Sequence, residues 1–188
     1  MLSVIIATEG AERPTVATLA ALVPGAAAGV VSEVLLVDRI GTSSIERVAD
    51  VAGCRFVAFD GSRAARLAAG ARQARSPWLM FLHAGAVLDS GWIEETTDFT
   101  ERVMDSGRPR AAVFRYARSP YADTGLADSL KFAARMIGGP WADQGLLIAR
   151  DHYGRLGGHV DERRAEAKLL RRLGRSSLTL LRSRIVLT

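Results

Sequence analysis

The stretch SPWLMFLHAGAVLDSGW, residues 76–92, decides how the chain is read. Residues 78–82 are a short unbroken apolar run, the pattern of a strand buried on both faces of a parallel sheet. Polar and flexible residues take over at His83, Ala84 and Gly85. A second apolar patch, 86–88, leads through Asp89, Ser90 and Gly91 into Trp92 and a helical pattern. Open α/β sheets bind ligands at the carboxyl ends of central strands, so residues 83–89 are expected to line a cleft. The plainer alternative is a strand and turn without chemistry.

Outward from this stretch, apolar runs and helical patterns alternate. Strands are expected at 2–7, 34–37 and 55–59, each followed by a polar turn. A helix is expected over 14–22, with Val16, Leu19, Ala20 and Val23 at helical spacing, Pro14 in its first turn and Pro24-Gly25 ending it. The loop 41–44 caps a helix over 45–51. Residues 63–75 form a helix whose inner face is Ala64, Leu67, Ala68 and Ala71. Downstream come a helix at 93–104 closed by Gly107, a strand at 111–116 and an amphipathic helix at 126–137. A strand-like run at 145–149 leads into a short helix near Tyr153. A last helix, 161–173, turns Ala165, Leu169 and Leu173 inward, and 178–187 is extended. This alternation implies βαβ crossovers: an α/β, Rossmann-like fold with a mainly parallel central sheet flanked by helices.

At 188 residues the chain reads as a single domain. Hydrophobic residues at 48% and charged residues at 24% place it among globular rather than disordered chains. The net charge is +5 and the pI about 10.1, with Lys131 and Lys168 the only lysines. A basic surface suits diphosphate-bearing substrates, anionic lipid headgroups or nucleic acid. No nucleic-acid-binding signature accompanies it, which puts nucleic acid last. Cys54 is the sole cysteine, which excludes an intrachain disulfide or a cysteine zinc cluster, and it reads as a small buried hydrophobe. No apolar run approaches the roughly 18–20 residues of a membrane span, and the start lacks a basic leader, so the expected location is cytoplasmic. The helix with Arg164, Lys168, Arg171, Arg172 and Arg175 is a solvated basic face or a peripheral contact with the inner membrane face. His152 and His159 have no partners at metal-ligand spacing and read as surface or loop residues.

Three strands end in polar residues: Thr8-Glu9, Asp38, and His83 with Asp89. In a doubly wound sheet these ends fall along one edge. A helix N-terminus at Ser62-Arg63 arrives there too, and its free N–H groups favour a phosphate. Arg63 and Arg66, one turn apart, would add charge-assisted contacts. The expectation is a nucleotide-diphosphate site; the alternative is that both arginines are solvated surface. No Gly-x-Gly-x-x-Gly follows the first strand, which disfavours a dinucleotide oxidoreductase.

SVIIAT at 3–8, EVLLVD at 33–38, GSRAARLAAGARQARSPWLMFLHAG at 61–85 and PWADQGLLIARDHYGRLGG at 140–158 together resemble the family 2 glycosyltransferases of the GT-A fold. The resemblance is to a bacterial subgroup described as radical-SAM/selenodomain-associated transferases, and it spans nearly the whole chain. It implies residues 1–90 as a nucleotide-binding half and 91–188 as an acceptor half. It implies Thr8 and Glu9 in the turn that holds the nucleotide, Asp38 at the base, and Arg63 and Arg66 near the diphosphate. Asp143 and Gln144 match an Asp-Gln-Gly motif beside the donor sugar or acceptor. Glu166 matches the carboxylate that serves as general base toward an acceptor hydroxyl; read alone, it is a charge one turn from Glu162. The partners implied are a nucleoside-diphosphate sugar and an unknown acceptor.

The chain departs from that pattern in three places. Gly10 and Ala11 stand where the turn carries an asparagine and a glutamate, and Ala165 where the late helix carries a second carboxylate. At the metal motif, where the subgroup has His-Ala-Asp with its aspartate on a Mg²⁺ or Mn²⁺ ion, this chain has His83-Ala84-Gly85. Hard divalent cations take oxygen ligands, and glycine supplies none from a side chain. His83 and Asp89 are the nearest candidates to hold such a cation. These losses also admit a catalytically degenerate relative that binds nucleotide or a protein partner without turnover.

Overall fold

A strand that is apolar on both faces must be covered on both, and the central strands of this chain are. In the computed structural model residues 1–117, 144–162 and 164–187 are described. The expected helix 126–137 and Asp143 lie outside the described residues. Eight strands form one sheet: β1 (Leu2–Ala7), β2 (Val31–Asp38), β3 (Arg55–Ala58), β4 (Trp78–His83), β5 (Ala86–Leu88), β6 (Ala111–Tyr116), β7 (Leu146–Ala149) and β8 (Leu178–Leu187). Their order is β3-β2-β1-β4-β7-β6-β8-β5. The β3-β2-β1-β4 part is parallel throughout, and β6 and β8 are also parallel. β7 runs antiparallel to β4 and β6, and β5 antiparallel to β8. The fold is α/β, with a mainly parallel sheet flanked by helices.

The pleat divides the core in two. Val4, Ile6, Leu36, Met80 and Leu82 face one layer, covered by α1 (Glu12–Ala27), α2 (Ser43–Val51) and α4 (Trp92–Ser106) through Leu22, Ile45, Trp92 and Phe99. Ile5, Leu35, Val37, Leu79 and Phe81 face the other, covered by α3 (Arg63–Gln73), α5 (Arg150–Arg155) and α6 (Ala165–Leu173). α3 lies so close to the sheet that a Cβ at Gly70 would sit 2.6 Å from Ile5 Cγ2 and 3.0 Å from Val37 Cγ2. Leu67 and Ala71 are buried beside it, as the small-residue face predicts.

α1 corrects the sequence reading twice. It continues through Pro24 to Ala27: Pro24 is exposed, and its carbonyl still accepts from Ala28 N at 2.9 Å. Its buried face is Thr15, Thr18, Leu22 and Gly25, whereas Val23 is 62% exposed. The threonine hydroxyls are buried without penalty because they donate to the Ala11 and Pro14 carbonyls of the previous turn. Cys54 is half-buried rather than buried. Among the described residues, no helix is long and apolar enough to cross a membrane.

Candidate functional site

Ala7 of β1 pairs with Val37 of β2 on one side and His83 of β4 on the other, so the three polar strand ends are neighbours. The chain leaves β1 through Thr8, Glu9 and Gly10, with Glu9 in the left-handed region at φ 52°. Asp38 holds this turn. Its Oδ2 accepts from Thr8 Oγ1 at 2.7 Å and from Gly10 N at 2.6 Å, and its Oδ1 from Arg39 N at 2.7 Å. The carboxylate is 1% exposed, so in this structure it braces two strand-end turns from behind.

The two arginines part company. Arg66 is 2% exposed and turned inward: Nη1 donates to the Gly61 carbonyl at 2.9 Å and Nη2 to Glu9 Oε1 at 2.8 Å. Arg63 turns to the strand ends, donating from Nη1 to the Ala7 carbonyl at 3.1 Å and from Nε to Glu166 Oε1 at 2.9 Å. Ser62 caps α3 by accepting from Ala65 N at 3.2 Å, and its hydroxyl donates to Asp161. That second bond ties the loop before α6 to the start of α3.

Glu166 reaches the strand ends because α6 docks by Ala165, Leu169 and Leu173, leaving its first turn over β4. His83 Nε2 is 3.8 Å from Glu166 Oε2. Burial by itself would raise the Glu166 carboxyl, but His83 and the Arg63 guanidinium together hold it at about 2. It is therefore ionised, and a weak base while Arg63 stays on it. A small, partly open cavity of about 20 Å³, large enough for an oxygen, is lined by Arg63, His83, His159, Glu166, Phe81 and Gly145 among others.

His159 is in this wall, contrary to its reading as a surface residue. The Gly157-Gly158 turn, left-handed at both positions, lays it over Tyr153; a Cβ at Gly158 would sit 2.7 Å from the Tyr153 ring. Tyr153 Oη lies 2.8 Å from His159 Nδ1 and accepts from His159 N at 2.9 Å. The imidazole packs edge-on against Phe81 at 4.8 Å, and burial keeps it neutral, with its pKa lowered to about 4. Two adjacent glycines between a buried tyrosine and a histidine were the one sequence signal for this contact. His152 is buried as well, against the β4 and β7 ends far from this cavity.

Gln144 is buried beside Gly145, which lines the cavity. Asp89 is elsewhere. Its Oδ2 accepts from Arg184 N at 2.8 Å and its Oδ1 from Gly91 N at 3.2 Å, and it lines a separate groove with Glu94, Glu95 and Asp98. The expectation that residues 83–89 line one cleft fails at this point, because β5 leaves the strand edge to pair with β8. Among the described residues no three histidine, cysteine, aspartate or glutamate side chains gather to hold a metal ion. Gly85 offers no carboxylate, and its N–H donates to the Pro14 carbonyl and Thr18 Oγ1, both at 2.9 Å. The donor set described here does not fit a divalent cation. On the basic face of α6, Lys168 and Arg172 both pair with Glu162.

No protein-family model matches the chain, and no curated protein does. Solved structures do. The whole chain superposes on a mycobacterial protein at a TM-score of 0.69 and 17% identity, covering 67% of that chain. It superposes on residues 1–349 of S. aureus TarS at 0.68 and 10%, covering 60%. A third match, at 0.66 and 14% over 70% of that chain, is glucosyl-3-phosphoglycerate synthase from Mycobacterium tuberculosis in complex with Mn²⁺, UDP and glucosyl-3-phosphoglycerate. The chain thus spans about two thirds of the length of these structures. Together with the parallel β3-β2-β1-β4 order, the likeness identifies the fold as the Rossmann-like GT-A fold of nucleotide-diphospho-sugar transferases.

Proposed function

We propose that the chain is a family 2-like glycosyltransferase domain that binds a nucleoside-diphosphate sugar at the ends of β1, β2 and β4. The observation that carries this reading is the Arg63–Glu166 pair beside His83. It sets a cation able to meet a diphosphate next to a carboxylate able to take a proton. In this reading the half spanning 1–90 holds the nucleotide, with Thr8, Glu9 and Asp38 fixing the turns around it. The half spanning 91–188 presents Glu166 to the acceptor, with Gln144, and Asp143 before it, beside the sugar.

The reaction follows from these groups. As the diphosphate draws Arg63 away, Glu166 loses one of the two neighbours that depress its pKa and becomes a stronger base. It accepts the proton of the acceptor hydroxyl while that oxygen bonds to the anomeric carbon. The bond from that carbon to the diphosphate oxygen breaks, and the nucleoside diphosphate leaves with its charge against Arg63.

A second reading is supported by Gly85 and by the closed Arg63–Glu166 pair: a degenerate relative that binds nucleotide without turnover. Calorimetry with UDP- and GDP-sugars, with and without Mn²⁺, run beside an assay for nucleoside diphosphate release, separates them. Donor binding with slow release of the diphosphate supports the transferase. Binding without release supports the second reading, and no binding to any donor removes both.

A further inference from the structure

His159 is a buried titratable group that the reaction above does not use, and its surroundings fix its hydrogen. The Tyr153 oxygen already accepts from the His159 backbone N–H at 2.9 Å. The tyrosine hydroxyl is buried, and its one proton needs an acceptor; the group at hand is His159 Nδ1, 2.8 Å away. Nδ1 therefore accepts, and in the neutral ring the hydrogen is on Nε2. His159 and Glu166 line the same cavity; with Nδ1 committed to Tyr153, the remaining ring nitrogen of His159 is a donor, while ionised Glu166 is an acceptor only.

We propose that these two groups form a hydroxyl-reading pair: one oxygen donates its proton to Glu166 and accepts from His159 Nε2–H. The partly open space of about 20 Å³ that the two line is large enough for such an oxygen. An alcohol fits this pair as donor and acceptor at once. A protonated amine brings only donors and collides with Nε2–H, and a carbonyl brings only acceptors against Glu166. His159 is accordingly the positioning residue of the acceptor hydroxyl, and the pair selects an alcohol over an amine or a carbonyl at that point. This rests on the transferase reading and adds His159 to its site.

The test uses the full chain with ¹⁵N-labelled histidine. Long-range ¹H–¹⁵N spectra, with the His159 signals assigned through His159→Gln, are expected to show the Nε2–H tautomer, and Tyr153→Phe to convert it to a mixture. Methyl glucoside in the presence of UDP-glucose or GDP-mannose is expected to move the His159 Nε2–H resonance, and its amino-sugar analogue to leave it in place. His159→Phe is expected to weaken methyl glucoside binding about five- to tenfold, with His159→Gln, which keeps an N–H, recovering most of it. An Nδ1–H tautomer overturns the proposal, as does glucoside binding that leaves His159 unmoved. Failure of every donor to bind overturns the transferase reading, and this inference falls with it even if the tautomer is as expected.

Discussion

Arg63 and Glu166 are 103 residues apart in the chain, yet Arg63 Nε donates to Glu166 Oε1 at 2.9 Å. The contact joins the first turn of α3 to the first turn of α6 over the end of β1, where Arg63 also holds the Ala7 carbonyl. In the proposed reading it makes one guanidinium the shared partner of a carboxylate and of the donor diphosphate.

Glu166→Gln keeps the shape of the pair and removes the base. Turnover is expected to fall by about 10²–10⁴-fold, measured as nucleoside diphosphate release. The donor Kd is expected to stay within about threefold or to tighten, because Arg63 is freed from a charged partner. A loss of donor binding equal to the loss of turnover would mean that Glu166 acts in binding.

The two arginines of α3 are expected to fail differently. Arg63→Gln weakens donor binding by about tenfold or more, the worth of a charge-assisted contact. Arg66→Met strips the donors from the Gly61 carbonyl and from Glu9. Its cost is stability, about 1–2 kcal/mol or a Tm lower by about 2–8 °C, with the Kd of the folded protein nearly unchanged. Calorimetry and thermal unfolding of both variants check the contrast.

Stability is expected to fall as the pH is lowered. Glu95 anchors β8 to α4 by accepting from Arg182 N and Ser183 N, both at 2.6 Å. Burial raises its pKa, but these bonds outweigh burial and hold it below the ordinary 4.5. Glu166 is lowered further, to about 2. A carboxyl lower in the folded state stabilises fully above its unfolded value and stops doing so as the pH drops through the folded one. His159 acts in the same direction, since the unfolded chain binds its proton near 6.5 and the folded chain only near 4. Urea midpoints are therefore expected to decline from about pH 6.5 downward, more shallowly below about pH 4.5 in Glu95→Gln.

Two glycines give a packing test of opposite sign. Gly70→Ala drives a methyl into Ile5 and Val37 and is expected to cost about 1–3 kcal/mol. At Gly154, within α5, an added Cβ meets nothing within 4 Å. Alanine there is expected to stabilise by about 0.4–1 kcal/mol. Denaturant unfolding measures both.

β4 was legible because its apolar run is uninterrupted, and its bounds differ by one residue from those expected. β1, β6 and β8 have the bounds expected, whereas β2 begins three residues before the expected 34–37, where Ser32 and Glu33 break the apolar run. The α6 stripe of Ala165, Leu169 and Leu173 was legible too, since three apolar positions at helical spacing leave one docking face. α1 was not. Its buried face is two threonines and a glycine beside Leu22, and the chain does not state that Trp92 will fill the space above Gly25. At the site, the strand-end residues could be named from their positions, but their directions could not. Whether Arg63 or Arg66 turns to the cavity depends on Glu9, which only the folded chain brings near Arg66. His159 was missed because its partner Tyr153 is adjacent through a glycine turn rather than through any ligand spacing.

A crystal structure of the protein with UDP bound tests the central claim most directly. The account predicts the diphosphate at the joined ends of β1 and β4, within hydrogen-bond distance of Arg63, with the Arg63–Glu166 contact broken. UDP seated on the basic face of α6, or at the strand ends with Arg63 still on Glu166, would contradict it.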